Sequence, residues 1–115
     1  RLVCLAGAVT LDELRDRLRQ FAAERDWEKF HTPKNLAMAL SVEASELVEI
    51  FQWLTPQESA AVMDSDEADH VREELADILI YLVRVADVLD VDLISTAEAK
   101  VARNAERFPP PSHLQ

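Results

Sequence analysis

Four carboxylates carry the clearest chemical signal in this sequence: Glu43-x-x-Glu46 and Glu74-x-x-Asp77, separated by residues 47–73. On a helix, a spacing of three brings both members of a pair to one face. Leu36, Leu40, Leu47, Ile50 and Leu54 then form one apolar stripe, with Glu43 in its middle and Glu46 about 60° to one side. Val71, Ile78, Tyr81, Val85 and Leu89 form a second stripe, with Glu74 at its centre and Asp77 about 60° off, on the same side as Glu46. A carboxylate in an apolar stripe must be paired, protonated or bound to a metal. Either pair alone reads more readily as the solvated face of an acidic helix. Two pairs at two stripe centres are what a shared pocket requires, and four hard oxygen donors suit Mg²⁺ or Mn²⁺. Glu49 and Glu73 fall about 100° to 120° away from the stripes and read as solvated or supporting groups.

Helices must position these acids. The 115 residues hold a single glycine, Gly7, and are rich in Ala, Leu, Glu, Asp and Arg, a helix-forming composition that predicts an all-α domain. Thr10-Leu11-Asp12-Glu13 has the form of a capping box, opening a helix from Leu11 to about Trp27 whose apolar residues Leu11, Leu14, Leu18, Phe21 and Ala22 keep helical spacing. Thr32-Pro33 opens a second, from Pro33 to about Leu54. Thr55-Pro56-Gln57-Glu58 predicts a short helical turn leading to a polar connector at residues 64–66, so the two acid-bearing helices should return antiparallel. The third long helix is expected from about Glu67 to Leu89. The fourth, capped by Asp92, should run from Leu93 to about Arg107 and end at Phe108-Pro109-Pro110-Pro111. The expected architecture is thus a four-helix bundle over residues 10–109, with residues 1–9 a poorly structured extension excluded from function and residues 110–115 a tail. The run Ile78-Leu79-Ile80-Tyr81-Leu82-Val83 leaves no polar face for two turns and needs cover on both sides. A fully central helix in a monomer would satisfy it, but a small bundle covers only one side well, which favours a dimer or dimer of dimers.

Charge removes several classes of function. Twelve Lys and Arg against 22 Asp and Glu give a net charge of −10, which repels DNA, RNA and free triphosphates alike unless divalent cations invert the field locally. No nucleic-acid partner is expected. The lone cysteine, Cys4, permits no intramolecular disulfide, the apolar stretch Leu2–Val9 is too short to span a bilayer, and no membrane partner is expected. A cytoplasmic setting is the simplest. Glu67-x-x-His70 has the form of half a di-iron motif, but the other acid pair lacks a histidine, so His70 reads as a surface or cap residue. His113, in the tail, has no evident role.

Two further groups bear on recognition. Lys100, Asn104 and Arg107 share one face of the fourth helix beside its apolar stripe. They suit either an anionic ligand or an ordinary surface with a dipole-complementing arginine. Trp27, His31, Trp53 and Tyr81 are able to hold a nucleobase between aromatic faces, or simply to fill a core.

Beyond the four acids, the segments Phe21-Ala-Ala-Glu-Arg-Asp-Trp27, Phe30-His31-x-Pro33-x-Asn35-Leu36, Glu43-x-x-Glu46-Leu-x-Glu49-x-Phe51-Gln-Trp53, Glu73-Glu74-Leu-x-Asp77-x-Leu-Ile-Tyr81-Leu and Lys100-x-x-x-Asn104-x-x-Arg107-Phe108-Pro109 follow one another in a fixed order over most of residues 11–109. In this they resemble the all-α, MazG-like nucleotide pyrophosphohydrolases, above all the dCTP pyrophosphatase branch. The resemblance implies that Glu43, Glu46, Glu74 and Asp77 bind Mg²⁺, that Lys100 and Asn104 contact substrate phosphates with help from Arg107, and that Trp27 to His31, Trp53 and Tyr81 line the base and sugar. Asn35 is a candidate polar reader of the base. Leu18 stands where some relatives carry histidine, which implies looser base selectivity.

The implied function is hydrolysis of dCTP or a modified dCTP to the monophosphate and pyrophosphate, with Glu46 as proton acceptor for the attacking water. Hydrolysis of dUTP or other triphosphates, and attack at the α or the β phosphorus, stay open at this point. Two rivals from other classes are an acidic helical interaction module and a di-iron carboxylate bundle.

Overall fold

The computed structural model describes residues 8–112. The expectations for Cys4, for residues 1–7 of the extension and for His113 to Gln115 fall outside them. Its order is α1 (Leu11–Glu24), α2 (Pro33–Phe51), α3 (Pro56–Ala60), a 3₁₀ turn (Val62–Asp64), α4 (Ala68–Val88) and α5 (Leu93–Arg107). The turn expected after Thr55 is thus a helix in its own right, and five helices stand where four were expected.

The caps are those the sequence announces. Thr10 accepts from the Glu13 amide at 3.1 Å while Glu13 accepts from the Thr10 amide at 3.1 Å, and Thr55 and Glu58 repeat the exchange. Thr32 and Asp92 cap α2 and α5. The ends differ more. α1 stops at Glu24 rather than near Trp27 because Asp26 adopts a left-handed φ of 55°, and Trp27 donates back to the Ala22 carbonyl at 2.9 Å. α4 ends the same way, with Asp90 at φ 57° and Val91 donating to Ala86 at 2.8 Å. Both are Schellman closures, and in a chain with one glycine the left-handed position falls to aspartate. α2 ends at Phe51, short of Leu54.

α4 is the central element: α2 packs along it and α1 crosses it. The enclosed apolar core is small, consisting of Ala22, Leu36, Val62, Val71, Val83 and Ala86 among the described residues. The stripe residues Leu40, Leu47, Ile50 and Leu54 are only half-buried. α5 buries no residue at all and stands apart from the three packed helices, so a closed four-helix bundle does not form within one chain. The apolar run on α4 is covered on part of its circumference: Val83 is buried, Ile78, Ile80 and Tyr81 are half-buried, and Leu79 and Leu82 are exposed. The Cα radius of gyration, 17.7 Å, exceeds the ~13 Å of a compact chain of this length.

Candidate functional site

The acids of α2 and α4 meet where the two helices pack. Carboxylate oxygens of Glu43, Glu46 and Glu74 lie within 4.8 Å of one another. Asp77 completes the group through Glu43, as Glu46 does through Glu74. Partners fall along α4 as residues rise along α2, which is the register of antiparallel helices. Glu74 is buried, and Glu43, Glu46 and Asp77 are half-buried.

Such crowding costs free energy while every member is charged. Burial, a carboxyl–carboxyl contact with Asp77 and the charges of Glu46, Asp77 and Glu74 push Glu43 up from 4.5 to about 7. Glu74 is raised as well, chiefly by burial and then by its contact with Glu46. No lysine or arginine among the described residues pairs with any of the four. Their one basic neighbour is His70, whose Nε2 lies 3.5 Å from Glu74 and whose Nδ1 lies 3.0 Å from Glu67. Those contacts, first the hydrogen bond to Glu67, raise the histidine above its ordinary range. Clustered oxygen donors lacking a cationic partner fit a divalent metal of the Mg²⁺ or Mn²⁺ kind. His70 is thus a surface residue, as expected, that also borders the acids, a contact foreshadowed by its i, i+4 spacing to Glu74.

A second feature opens beside α1 and α4. A cavity of about 210 Å³ is lined by Leu18, Phe21, Ala22, Trp27, His31, Ile80, Tyr81 and Arg84. Phe21 meets Trp27 edge-on with ring centroids 5.6 Å apart, and Trp27 lies 6.1 Å from the His31 ring. The volume holds several waters but falls short of a site for a whole drug-sized ligand, so it suits one planar ring. Trp27, His31 and Tyr81 come together here as the sequence suggested, and Leu18 forms part of the same wall. Asp77, Tyr81 and Arg84 follow one another along one side of α4, with Asp77 and Arg84 about 10 Å apart along the axis. Acids and cavity thus share a helix.

The remaining candidates lie elsewhere. Trp53 is 86% exposed and is not a wall of this cavity. Asn35 spends its side-chain amide on the Phe30 carbonyl at 3.0 Å, bracing the turn that carries Trp27 and His31. Lys100 and Arg107 are exposed and Asn104 is half-buried on α5, and no ion pair or side-chain hydrogen bond among the described residues joins them to the acids. Arg107 lies over Phe108, 5.1 Å from its centroid. Sequence reasoning missed Arg84, the one charged wall of the cavity. Its signal was an arginine closing an apolar run, with Asp87 three residues on.

The profile of the MazG-like family matches residues 38–113, a span that includes both acid pairs. The chain belongs to the MazG-like family. It is 44% identical to dCTP pyrophosphatase 1 of Rattus norvegicus over 101 residues, 87% of this chain and 59% of that protein. To dCTP pyrophosphatase 1 of Homo sapiens it is 46% identical over 106 residues, 91% of this chain and 61% of that protein. The chain thus spans about three fifths of the length of these curated relatives. The crystal structure of a pyrophosphatase from Archaeoglobus fulgidus shares 42% identity and a TM-score of 0.81, covering 87% of this chain and 93% of that one. In this MazG-like chain the all-helical fold therefore rests on sequence, geometry and relatives together, and the grouping of the acids of α2 and α4 on sequence and geometry. No helix among the described residues is long and apolar enough to cross a membrane.

Proposed function

We propose that this chain is a Mg²⁺-dependent nucleoside triphosphate pyrophosphohydrolase that converts dCTP or a base-modified dCTP, with one water, to the monophosphate and pyrophosphate. The observation that carries the reading is the convergence of Glu43, Glu46 and Glu74, with Asp77 against Glu43, on one point that no lysine or arginine neutralises. The aromatic cavity on the same helix adds a place for the base, and the names of the relatives support the choice of cytosine. Glu43, Glu46, Glu74 and Asp77 would hold the ion. When bound, the ion supplies a Lewis acid that offsets triphosphate charge, lowers the pKa of water and stabilises the leaving pyrophosphate. Glu46 accepts the proton of the water that attacks the α phosphorus. Trp27, His31 and Tyr81 hold the base and exclude water from it.

Lys100, Asn104 and Arg107 are the phosphate contacts of this reading, and Trp53 a further aromatic contact to the nucleoside. The lack of any ion pair or side-chain hydrogen bond joining them to the acids among the described residues, the open stripe of Ile94 and Val101 on α5, and exposed Leu75, Leu79 and Leu82 on α4 favour a homodimer or dimer of dimers that covers these faces. The net charge of −10 argues against a nucleic-acid partner, and removal of unwanted dCTP from the cytoplasmic nucleotide pool is the role that fits. A panel of dCTP, 5-methyl-dCTP, dUTP, dTTP and purine triphosphates, incubated with protein and Mg²⁺ and resolved by chromatography, tests the reading. Monophosphate and pyrophosphate, formed fastest from the cytosine nucleotides, are expected. Orthophosphate release, or no turnover of any triphosphate, would refute it.

A further inference from the structure

Arg84 is a buried cation in an apolar stretch of α4, with 6% of its side chain exposed, and the residues assigned above to chemistry and binding leave it unused. Its guanidinium has two partners. Nη1 donates to Asp87 at 3.3 Å, and Nε donates to Nδ1 of His31 at 3.3 Å. Asp87 is itself gripped by Arg19 of α1, whose Nε and Nη2 donate to its two oxygens at 3.0 and 2.6 Å. Arg19 above all, with Arg84 and Arg15 adding charge, holds Asp87 below the usual carboxylate range. A row Arg19, Asp87, Arg84, His31 thus ties both helices to the turn that follows α1.

Arginine has donors only, so Nδ1 of His31 must be the acceptor, and a neutral ring with that nitrogen free carries its proton on Nε2. Burial and the charge of Arg84 both lower the His31 pKa, so the ring is neutral. No described residue accepts from Nε2, and no buried side-chain nitrogen or oxygen among the described residues lacks a partner, so Nε2–H is open to a ligand. His31 and Arg84 are both walls of the aromatic cavity. Beside the Trp27 indole and the Tyr81 hydroxyl, His31 thus adds to the cavity wall a neutral ring donor, and it is the one whose orientation Arg84 fixes. Cytosine meets a donor well, since its edge carries two adjacent acceptors, N3 and O2. Uracil and thymine place an N–H at position 3, which would oppose it.

We propose that Arg84, anchored by Asp87 and Arg19, is a positioning residue that locks His31 in its Nε2–H form, and that this fixed donor selects bases with an unprotonated N3. The proposal rests on the base occupying the cavity, but its first test does not. In ¹⁵N-labelled protein without nucleotide at pH 7.5, the His31 ring nitrogens should show an unprotonated Nδ1 and a protonated Nε2. Arg84→Met should blend the two signals toward tautomer exchange, and Arg84→Lys, which keeps a donor, should restore them. Methionine leaves Asp87 on Arg19, so the fold keeps its α1–α4 tie. In kinetics, Arg84→Met should lower kcat/KM for dCTP about tenfold through KM and narrow the preference for dCTP over dUTP by a similar factor, with Arg84→Lys recovering most of both. A wild-type ring protonated at Nδ1, or one unchanged in Arg84→Met, would overturn the tautomer assignment. A dCTP to dUTP ratio unaltered in Arg84→Met would overturn the selection. Absence of turnover by the wild type would sink the proposed function and the selection together, while the nitrogen spectra would still decide the tautomer.

Discussion

Replacing Glu43 by glutamine should stabilise the metal-free protein, and only where the pH leaves Glu43 charged. Burial, the contact with Asp77 and three neighbouring charges hold the Glu43 carboxyl at about 7 instead of 4.5. An unfolded chain gives up this proton near 4.5, so between 4.5 and 7 the folded state binds more protons and loses stability as pH rises. Above 7 the loss is complete. At ~1.4 kcal/mol per tenfold change in a protonation constant, it has an upper bound of ~3.5 kcal/mol. Glu43 is partly exposed and shares its titration with neighbouring acids, so about 1–2 kcal/mol is a sounder expectation. Glutamine keeps the shape and removes the charge. For a domain of this size the gain is roughly 4–10 °C in melting temperature at pH 8, fading toward zero at pH 5. Calorimetry on both proteins in EDTA at the two pH values measures it. An equal gain at both, or a lower melting temperature at pH 8, would show that Glu43 is not a repelled member of a carboxylate cluster.

Saturating Mg²⁺ should reverse the order, because an ion at 100 times its dissociation constant adds about 2.7 kcal/mol to the wild type and little to Glu43→Gln. Equal thermal shifts in the two proteins would mean that the ion binds elsewhere. Trp27→Ala should raise KM for dCTP roughly 5-fold to 150-fold with kcat little changed, the worth of one aromatic face on a base; a loss in kcat alone would place the base outside the cavity. Light scattering at micromolar concentration should report a dimer or tetramer, and Leu79→Glu or Val101→Glu should dissociate it. Wild-type monomers would contradict the assembly.

Four helix starts were legible because each rests on a local exchange between a hydroxyl or carboxylate and an amide, at Thr10, Thr32, Thr55 and Asp92, whereas α4 follows Glu67 with no side-chain cap. Ends were less so: Asp26 and Asp90 take a conformation usually reserved for glycine, and nothing in their neighbours singles them out from other aspartates. The acid site was legible from periodicity alone, since Glu43 and Glu74 interrupt stripes that otherwise read as core. Trp53 shows the converse. The resemblance suggested it as a wall of the pocket, but which way a residue just past a helix end points depends on where the chain turns, and within one chain Trp53 is exposed and off the cavity, which leaves its contact to the nucleoside to an assembled site. Arg84 escaped notice because its partners, His31 and Asp87, lie 53 and 3 residues away, and only the first marks it as part of the cavity.

The central claim is that the four acids of α2 and α4 carry out Mg²⁺-dependent hydrolysis of a cytosine deoxynucleoside triphosphate. Following dCTP by ³¹P NMR with wild type and Glu43→Gln side by side, each with Mg²⁺ and with EDTA, tests it most directly. The wild type with Mg²⁺ should convert the three triphosphate signals to those of dCMP and pyrophosphate in equal amounts, while the other three samples stay at background. Turnover by Glu43→Gln at the wild-type rate, or orthophosphate and dCDP as the products, would contradict it.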